Sequence, residues 1–444
     1  MATDVLYSEK GVTNVYANPI AYFSSSIFVL VAHIAMLVNI YFNGNYTNVR
    51  SVAVLGAAVI ILDIAYLVGI IFFKQASYIL DFLLILIIGM SVIFQSCFGE
   101  VGFDVKHYIT CIVCLIASKA SYLLCRNHKY LQNKKKYIYA AIGIVVLITL
   151  VFTSAENMWI EIGSFTIQPS EFLKPLFVLA CATSIADQQK KHKVLFFNVV
   201  YENIALFGIM AVICLVQVKS HDYGSLPTFL SIYAAGFLLR ICYPKAKFSK
   251  KKLFAVIAVI VIFLLIGLKY APEYVQHRLH VDIWSDKTGD GYQQSQALIG
   301  IANGGWFGVG PGKGFLANVF AYDNDIVFAT VSEEWGLLYA LMMVFTIVVI
   351  TAVPLINPAR SYFHGTMSAC VSAAFLVQMA LNIWGSCNLI PFTGVTVPFI
   401  STGGSSLMVS GFMIGMLLAA QSPVFKEQKN KKQEAPVPAW RWNE

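Results

Sequence analysis

Apolar residues in this chain come in long, unbroken runs. They fall at about 20–42, 52–73, 79–98, 108–124, 137–153, 172–186, 199–218, 223–242, 253–270, 326–353, 365–386 and 404–421. Most approach the ~20 residues that a helix needs to cross the hydrocarbon core of a bilayer. A helix satisfies its own backbone polar groups, so the pattern predicts twelve spanning helices. A spanning β-barrel would show segments of about ten residues with alternating polarity, and the chain has no such pattern. The fold class read from the pattern is all-α, a polytopic membrane protein of about twelve transmembrane helices.

Composition agrees. Of 444 residues, 58% are hydrophobic and 12% charged, and mean hydropathy is +0.70. A soluble domain carries about 25% charged residues, so an ordinary soluble enzyme, a disordered chain and a disulfide scaffold are excluded. The 31 Lys and Arg against 23 Asp and Glu give a net charge of +8. In a membrane protein that excess reflects cytoplasmic loops, not nucleic-acid binding. With the N-terminus inside, 22 Lys and Arg fall in inside segments, 8 fall in outside segments or span edges, and Lys119 lies within a span. The split predicts both termini on the cytoplasmic side of the membrane. Residues 1–19 are polar and carry Asp4, Glu9 and Lys10, so no cleavable leader is expected. Most of the nine cysteines sit inside apolar runs. Buried thiols are therefore expected, including the Cys111/Cys114 pair.

Three outside segments stand out: 154–171, the long loop 271–325, and 387–403, where Pro391, Gly394, Pro398 and Gly403 interrupt an apolar stretch. The last reads as a broken or re-entrant segment. The run GGWFGVGPGKG at 304–314 looks like a phosphate loop but fails the Walker spacing, with Phe307 where the first Gly belongs and Gly314 where Ser or Thr belongs. A Gly-rich loop approaching a lipid-linked phosphate stays open. His277 and His280 flank Arg278 without further ligands at zinc spacing. Asp63, Lys119 and Glu202 lie in or near spans, where a charge needs a partner or a cavity. The long loop carries Asp282, Asp286, Asp290, Asp323 and Asp325. A general base could be any of them, and composition does not choose.

Four stretches in order resemble the SEDS family (shape, elongation, division and sporulation), the FtsW/RodA type. They are WIEIGSFTIQPSEFLK at 159–174, HDYGS at 221–225, RLHVDIWSDKTGDGYQQSQ at 278–296 with its continuation through DNDIVFATVSEEWG at 323–336, and NLIPFTGVTVPFISTGGSSL at 388–407. The resemblance covers roughly 79–421. It implies a ten-span core at 76–421 with the outer loop 271–325, preceded by a two-span N-terminal addition at 1–75 and followed by a basic cytoplasmic tail at 422–444. This chain departs from the family pattern at Ser220-His221, where Gln-Pro is usual, and at Asp323-Asn324-Asp325, where His-Thr-Asp is usual.

The resemblance implies a peptidoglycan glycosyltransferase that polymerises lipid II, an undecaprenyl-linked disaccharide peptide, for division or elongation. It also implies a class B penicillin-binding transpeptidase as partner. The family's catalytic aspartate falls on Asp286. That carboxylate would take the proton of the attacking sugar hydroxyl, and a single displacement would invert the anomeric carbon. The leaving pyrophosphate needs cations. Lys174 and Arg278 are best placed by motif, with Lys287 and Lys313 behind them. Glu171 stands three residues before Lys174 and can pair with it on one helix face. Tyr292 and Gln293 either hold the loop or contact sugar. Asp325 is a further substrate-binding candidate. Ser401 and Ser405 could bind sugar or phosphate, but helix-end packing is the favoured reading. Trp284 and Trp306 could stack on sugar or anchor the loop. No cofactor is required. A divalent cation (magnesium or manganese) could assist at the pyrophosphate, but no ligand cluster in the sequence demands one. Two other functions fit the same pattern: a lipid II flippase, and an inactive scaffold that activates the transpeptidase.

Overall fold

The computed structural model describes residues 19–421, apart from 74, 76, 154–157, 164, 186–191, 195–196, 242–281, 286–289 and 358. The expected span 253–270, the tail 422–444, and the candidates Arg278, Asp286 and Lys287 lie outside the described residues, as do His277 and His280.

Eleven of the twelve apolar runs correspond to described helices. In chain order these are α1 (Pro19–Asn43), α2 (Val49–Ile71), α3 (Ile79–Gln95), α4 (Val105–Cys125), a short α5 (His128–Asn133), α6 (Lys135–Phe152), α7 (Leu173–Thr183), α8 (Tyr201–Lys219) and α9 (Leu226–Ile241). There follow α10 (Asp290–Gly304), α11 (Val327–Trp335), α12 (Leu337–Ile356), α13 (Tyr362–Ser386) and α14 (Gly404–Gln421). Eight are long and apolar enough to cross a membrane: α1, α2, α4, α6, α8, α12, α13 and α14. The apolar helices α3 and α9 are shorter. The chain is an all-α, multi-pass membrane protein. Its described strands form two antiparallel three-residue hairpins, Ile160–Ile162 with Phe165–Ile167 and His192–Val194 with Phe197–Val199.

The run 326–353 is not one helix. It breaks at Gly336, whose φ is +89°. A Cβ there would lie 2.4 Å from Trp306 O, so the break needs glycine. The nine residues of α11 are wholly buried, and α12 begins a separate span. Segment 387–403 has no helix or strand among its residues, which fits its reading as a broken stretch.

Small residues let α14 lie against α4. A Cβ on Gly411 or Gly415 would sit 2.3 Å from Cys114 O or 2.2 Å from Ser118 O respectively, so these glycines set the interhelical distance. Cys111 and Cys114 are buried free thiols.

The charges flagged within spans are paired. Lys119 bonds Asp81, which also accepts from Tyr66 Oη at 2.6 Å. Glu202 bonds Lys135 and accepts from Tyr139 Oη at 2.8 Å. Asp63 meets His33 Nδ1 at 2.7 Å, and His33 Nε2 lies 3.1 Å from Leu86 O. A carbonyl can only accept, so Nε2 donates to Leu86 O while Nδ1 faces the Asp63 carboxyl. Both side chains are fully buried, where each needs the other as partner. The ring fills a notch on α3, where a Cβ on Gly89 would lie 2.1 Å from it. This contact docks α1 and α2 on α3.

Candidate functional site at the loop end of the bundle

The described parts of the four motif stretches converge at one end of the bundle, around the N-terminus of α14. A 3-10 turn at Pro169–Phe172 leads into α7 and carries Glu171 one turn before Lys174. Lys174 Nζ donates to Glu171 Oε1 at 2.6 Å and Oε2 at 2.8 Å, and both side chains are buried. Immediately before the turn, Gln168 N donates to Ser405 Oγ at 3.1 Å, and Gln168 Nε2 donates to Asp222 Oδ2 at 2.8 Å. The HDYGS loop is thereby tied to the QPSE turn. Its glycine is required, because a Cβ on Gly224 would lie 2.2 Å from Thr393 O.

Asp222 is aimed by a helix end. At the C-terminus of α8, His221 N donates to Val218 O at 3.2 Å and Asp222 N donates to Gln217 O at 2.9 Å. This is a Schellman arrangement with His221 at the left-handed position, φ +56°. Proline cannot take that angle, so the departure from Gln-Pro is a change of backbone as well as of side chain. Burial pushes the Asp222 carboxyl above the usual aspartate range. Its hydrogen bond to Ser225 opposes the shift, and the nearby Glu171 carboxylate adds to it.

The segment 323–325 docks on the other side of α14. Thr402 Oγ1 donates to Asp323 Oδ2 at 2.7 Å, and Ser401 Oγ donates to Asn324 O at 2.8 Å. Asn382 Nδ2, from within α13, donates to Asp325 O and Val395 O, each at 2.8 Å. From α3, Gln95 Nε2 donates to Asp323 O at 2.9 Å and Ile400 O at 2.8 Å. A Cβ on Gly394 would lie 3.5 Å from Asp325 Oδ2.

Glu171, Lys174, Ser405 and Asp325 are thus brought to one end of the bundle. Gln293 and Tyr292 stand on the neighbouring α10. Gln293 Nε2 donates to Phe320 O at 2.8 Å, which is loop-holding, and Tyr292 is exposed. Ser401 also accepts from Val397 N at 2.9 Å, so its role is packing. Trp284 and Trp306 are exposed, as is Lys313. Of the five loop acids, Asp282 accepts from Trp284 N at 3.1 Å and holds a turn, and Asp323 is tied to Thr402. The sequence reading placed no role on Gln168, Asp222, Gln95 or Asn382. The first two stand inside quoted motifs. The other two are amides inside apolar runs, uncharged polar groups whose position within a span is their only signal.

The Gly-rich loop requires a correction. Its amides do not face outward to a phosphate. Gly312 N and Gly99 N donate to the Glu334 carboxylate at 2.9 and 2.8 Å. Phe315 N and Leu316 N donate to that of Glu333 at 3.1 and 3.0 Å. Val309 N and Gly310 N donate to the Glu333 and Glu334 carbonyls. Two carboxylates of α11 occupy the positions an anionic ligand would need. Among the described residues no three His, Cys, Asp or Glu side chains converge to hold a metal ion.

The family model described as cell cycle protein, covering FtsW, RodA and SpoVE, matches residues 71–424. The chain is 30% identical over 307 residues to the probable peptidoglycan glycosyltransferase FtsW of Alcanivorax borkumensis, covering 65% of this chain and 76% of that one. It is 29% identical over 324 residues to the peptidoglycan glycosyltransferase RodA of Mycobacterium bovis, covering 69% and 67%. Among solved structures, it shares its fold with a chain of a peptidoglycan synthase complex that coordinates polymerization and crosslinking, at TM-score 0.59 and 18% identity over 78% of this chain and 97% of that one. The rod shape determining protein RodA of Thermus thermophilus gives TM-score 0.51 and 17% identity over 78% and 96%. The chain belongs to the FtsW/RodA/SpoVE family of cell cycle proteins, the SEDS family.

Proposed function

We propose that the chain is a peptidoglycan glycosyltransferase that polymerises lipid II at the outer face of the cytoplasmic membrane, with both termini cytoplasmic. The observation that carries the reading is the buried Glu171–Lys174 pair beside Asp222 and Ser405. Glu171 balances the Lys174 charge in the resting site. A lipid pyrophosphate arriving from the membrane side would be a second anion for the same ammonium.

In this reading the 4-hydroxyl of an incoming lipid II sugar attacks C1 of the growing glycan. The C1–O bond to the lipid pyrophosphate breaks, and the hydroxyl proton passes to a carboxylate. We assign that base to Asp286, on the motif that carries it, and the cationic stabilisation of the leaving group to Lys174, with Arg278 joining it. Glu171 holds the lysine ammonium in place between turnovers. Asp325 and Ser405 border the same end of the bundle and belong to substrate positioning. The partner is a class B penicillin-binding transpeptidase. Residues 1–75 form an addition to the ten-span core, docked through His33 and Asp63.

The test is glycan synthesis from fluorescent lipid II by the purified chain with its cognate transpeptidase, run beside a lipid II translocation assay in vesicles. Glycan strands of many disaccharides support the reading. Translocation without glycan would identify a flippase, and neither, with the partner bound, a scaffold.

A further inference from the structure

At the opposite end of the bundle, α1 and α3 leave a cavity of about 620 Å³ between them. Its lining is ordered by polarity. Ser24 and Ser25, in the first two turns of α1, and Ser77, just before α3, place hydroxyls at one level. Tyr22 and Tyr78 line that same level, edge to face, with centroids 5.3 Å apart. Further toward mid-span the lining is hydrocarbon: Val29 of α1, and Leu83 and Leu86 of α3. No charged side chain among the described residues lines it.

Water does not suit the deep part of this space, because an ordered water needs two to four polar partners, and Val29, Leu83 and Leu86 offer no side-chain polar atoms. The surrounding solvent at this level is bilayer hydrocarbon, since α1 is a candidate span and α3 an apolar helix beside it. Apart from Ala21 and Ile79 at the outer level, the order of hydroxyls outside and hydrocarbon inside is that of a lipid read from its ester groups to its tail.

We propose that the cavity is a binding site for one membrane phospholipid of the leaflet at the N-terminal end of α1. An acyl chain lies between α1 and α3 against Val29, Leu83 and Leu86. The ester oxygens stand at the level of Ser25, Ser77 and Tyr78 and accept from their hydroxyls. Among the described residues the lining holds no charge, and the site is read from its chain and ester levels. The lipid completes the packing of the N-terminal hairpin beside the His33 notch, with which it shares Leu86.

The test uses the full chain. After stepwise delipidation in mild detergent, native mass spectrometry is expected to find a single phospholipid retained by the wild type. Leu83→Trp, which puts an indole into the cavity, is expected to lose it. A second measurement needs no substitution. Wild type in phosphatidylethanolamine–phosphatidylglycerol vesicles is irradiated with a phosphatidylcholine bearing a diazirine in its acyl chain, and adducts are expected within 21–29 and 77–86. Equal lipid retention by wild type and the Trp variant would overturn the proposal. So would adducts confined to other helices, or a disulfide between Val12→Cys and Leu83→Cys formed in membranes, which would make the N-terminal segment the occupant.

Discussion

Gln168 and Asp222 stand 54 residues apart, yet the amide of the first donates to the carboxylate of the second at 2.8 Å. This bond ties two loops at the mouth of the bundle and leaves Asp222 within electrostatic reach of the Glu171–Lys174 pair. Burial holds the Asp222 carboxyl above its ordinary value of 3.8. The folded state therefore keeps this proton to higher pH than the unfolded chain does. Stability from the protonated form is fully present below 3.8 and is lost as pH rises through the raised value. Asp222→Asn is expected to melt higher than wild type at pH 7, and the gap should close as the buffer approaches 3.8. Thermal melts across that range check the sign.

The Glu171–Lys174 pair predicts an asymmetry between single and double substitutions. Lys174→Ala strands a buried carboxylate and should cost about 3–5 kcal/mol. Lys174→Met with Glu171→Leu removes both charges and should recover most of that stability. Glycan synthesis should be lost in both, because neither supplies a cation to the pyrophosphate. Melting curves and a polymerisation assay on the same preparations separate the two effects.

His221 occupies a backbone position that glycine favours. His221→Gly is expected to leave the fold intact or raise its stability by up to about 1 kcal/mol. His221→Pro restores the family's usual residue, yet it cannot reach φ +56° and removes the N–H that caps Val218. It should lower both stability and activity. A gain of activity with proline would mean that the loop rearranges to a different backbone.

Glu334 holds Gly99 and Gly312 together across 235 and 22 residues of sequence. Glu334→Ala leaves both amides without that acceptor, at about 1–3 kcal/mol for the buried Gly312 N–H and less for the half-buried Gly99 N–H. Limited proteolysis should then cut within 304–316, where the wild type resists.

Much of the fold was legible because bilayer crossing imposes a length and a composition that survive any detail of packing. Eleven runs became helices near their expected bounds. The break at Gly336 was not read, since the apolar run continues through it. The glycine there answers to Trp306 O, a contact from thirty residues upstream that hydropathy does not register. Glu171 and Lys174 were legible as a pair because their spacing puts them on one face. Asp222 was missed as a partner because its neighbour Gln168 comes from a distant loop. The Gly-rich run misled for a related reason: the carboxylates that take its amides, Glu333 and Glu334, lie on α11, beyond the run itself.

The most direct measurement is polymerisation of labelled lipid II by wild type beside Asp286→Ala, each purified with the transpeptidase bound and matched in melting temperature. Wild type should produce glycan strands, and the variant should fall by about 10²–10⁴-fold, the usual worth of a positioned general base. Equal glycan from a folded Asp286→Ala protein would contradict the assignment and move the base to another carboxylate at the mouth of the bundle.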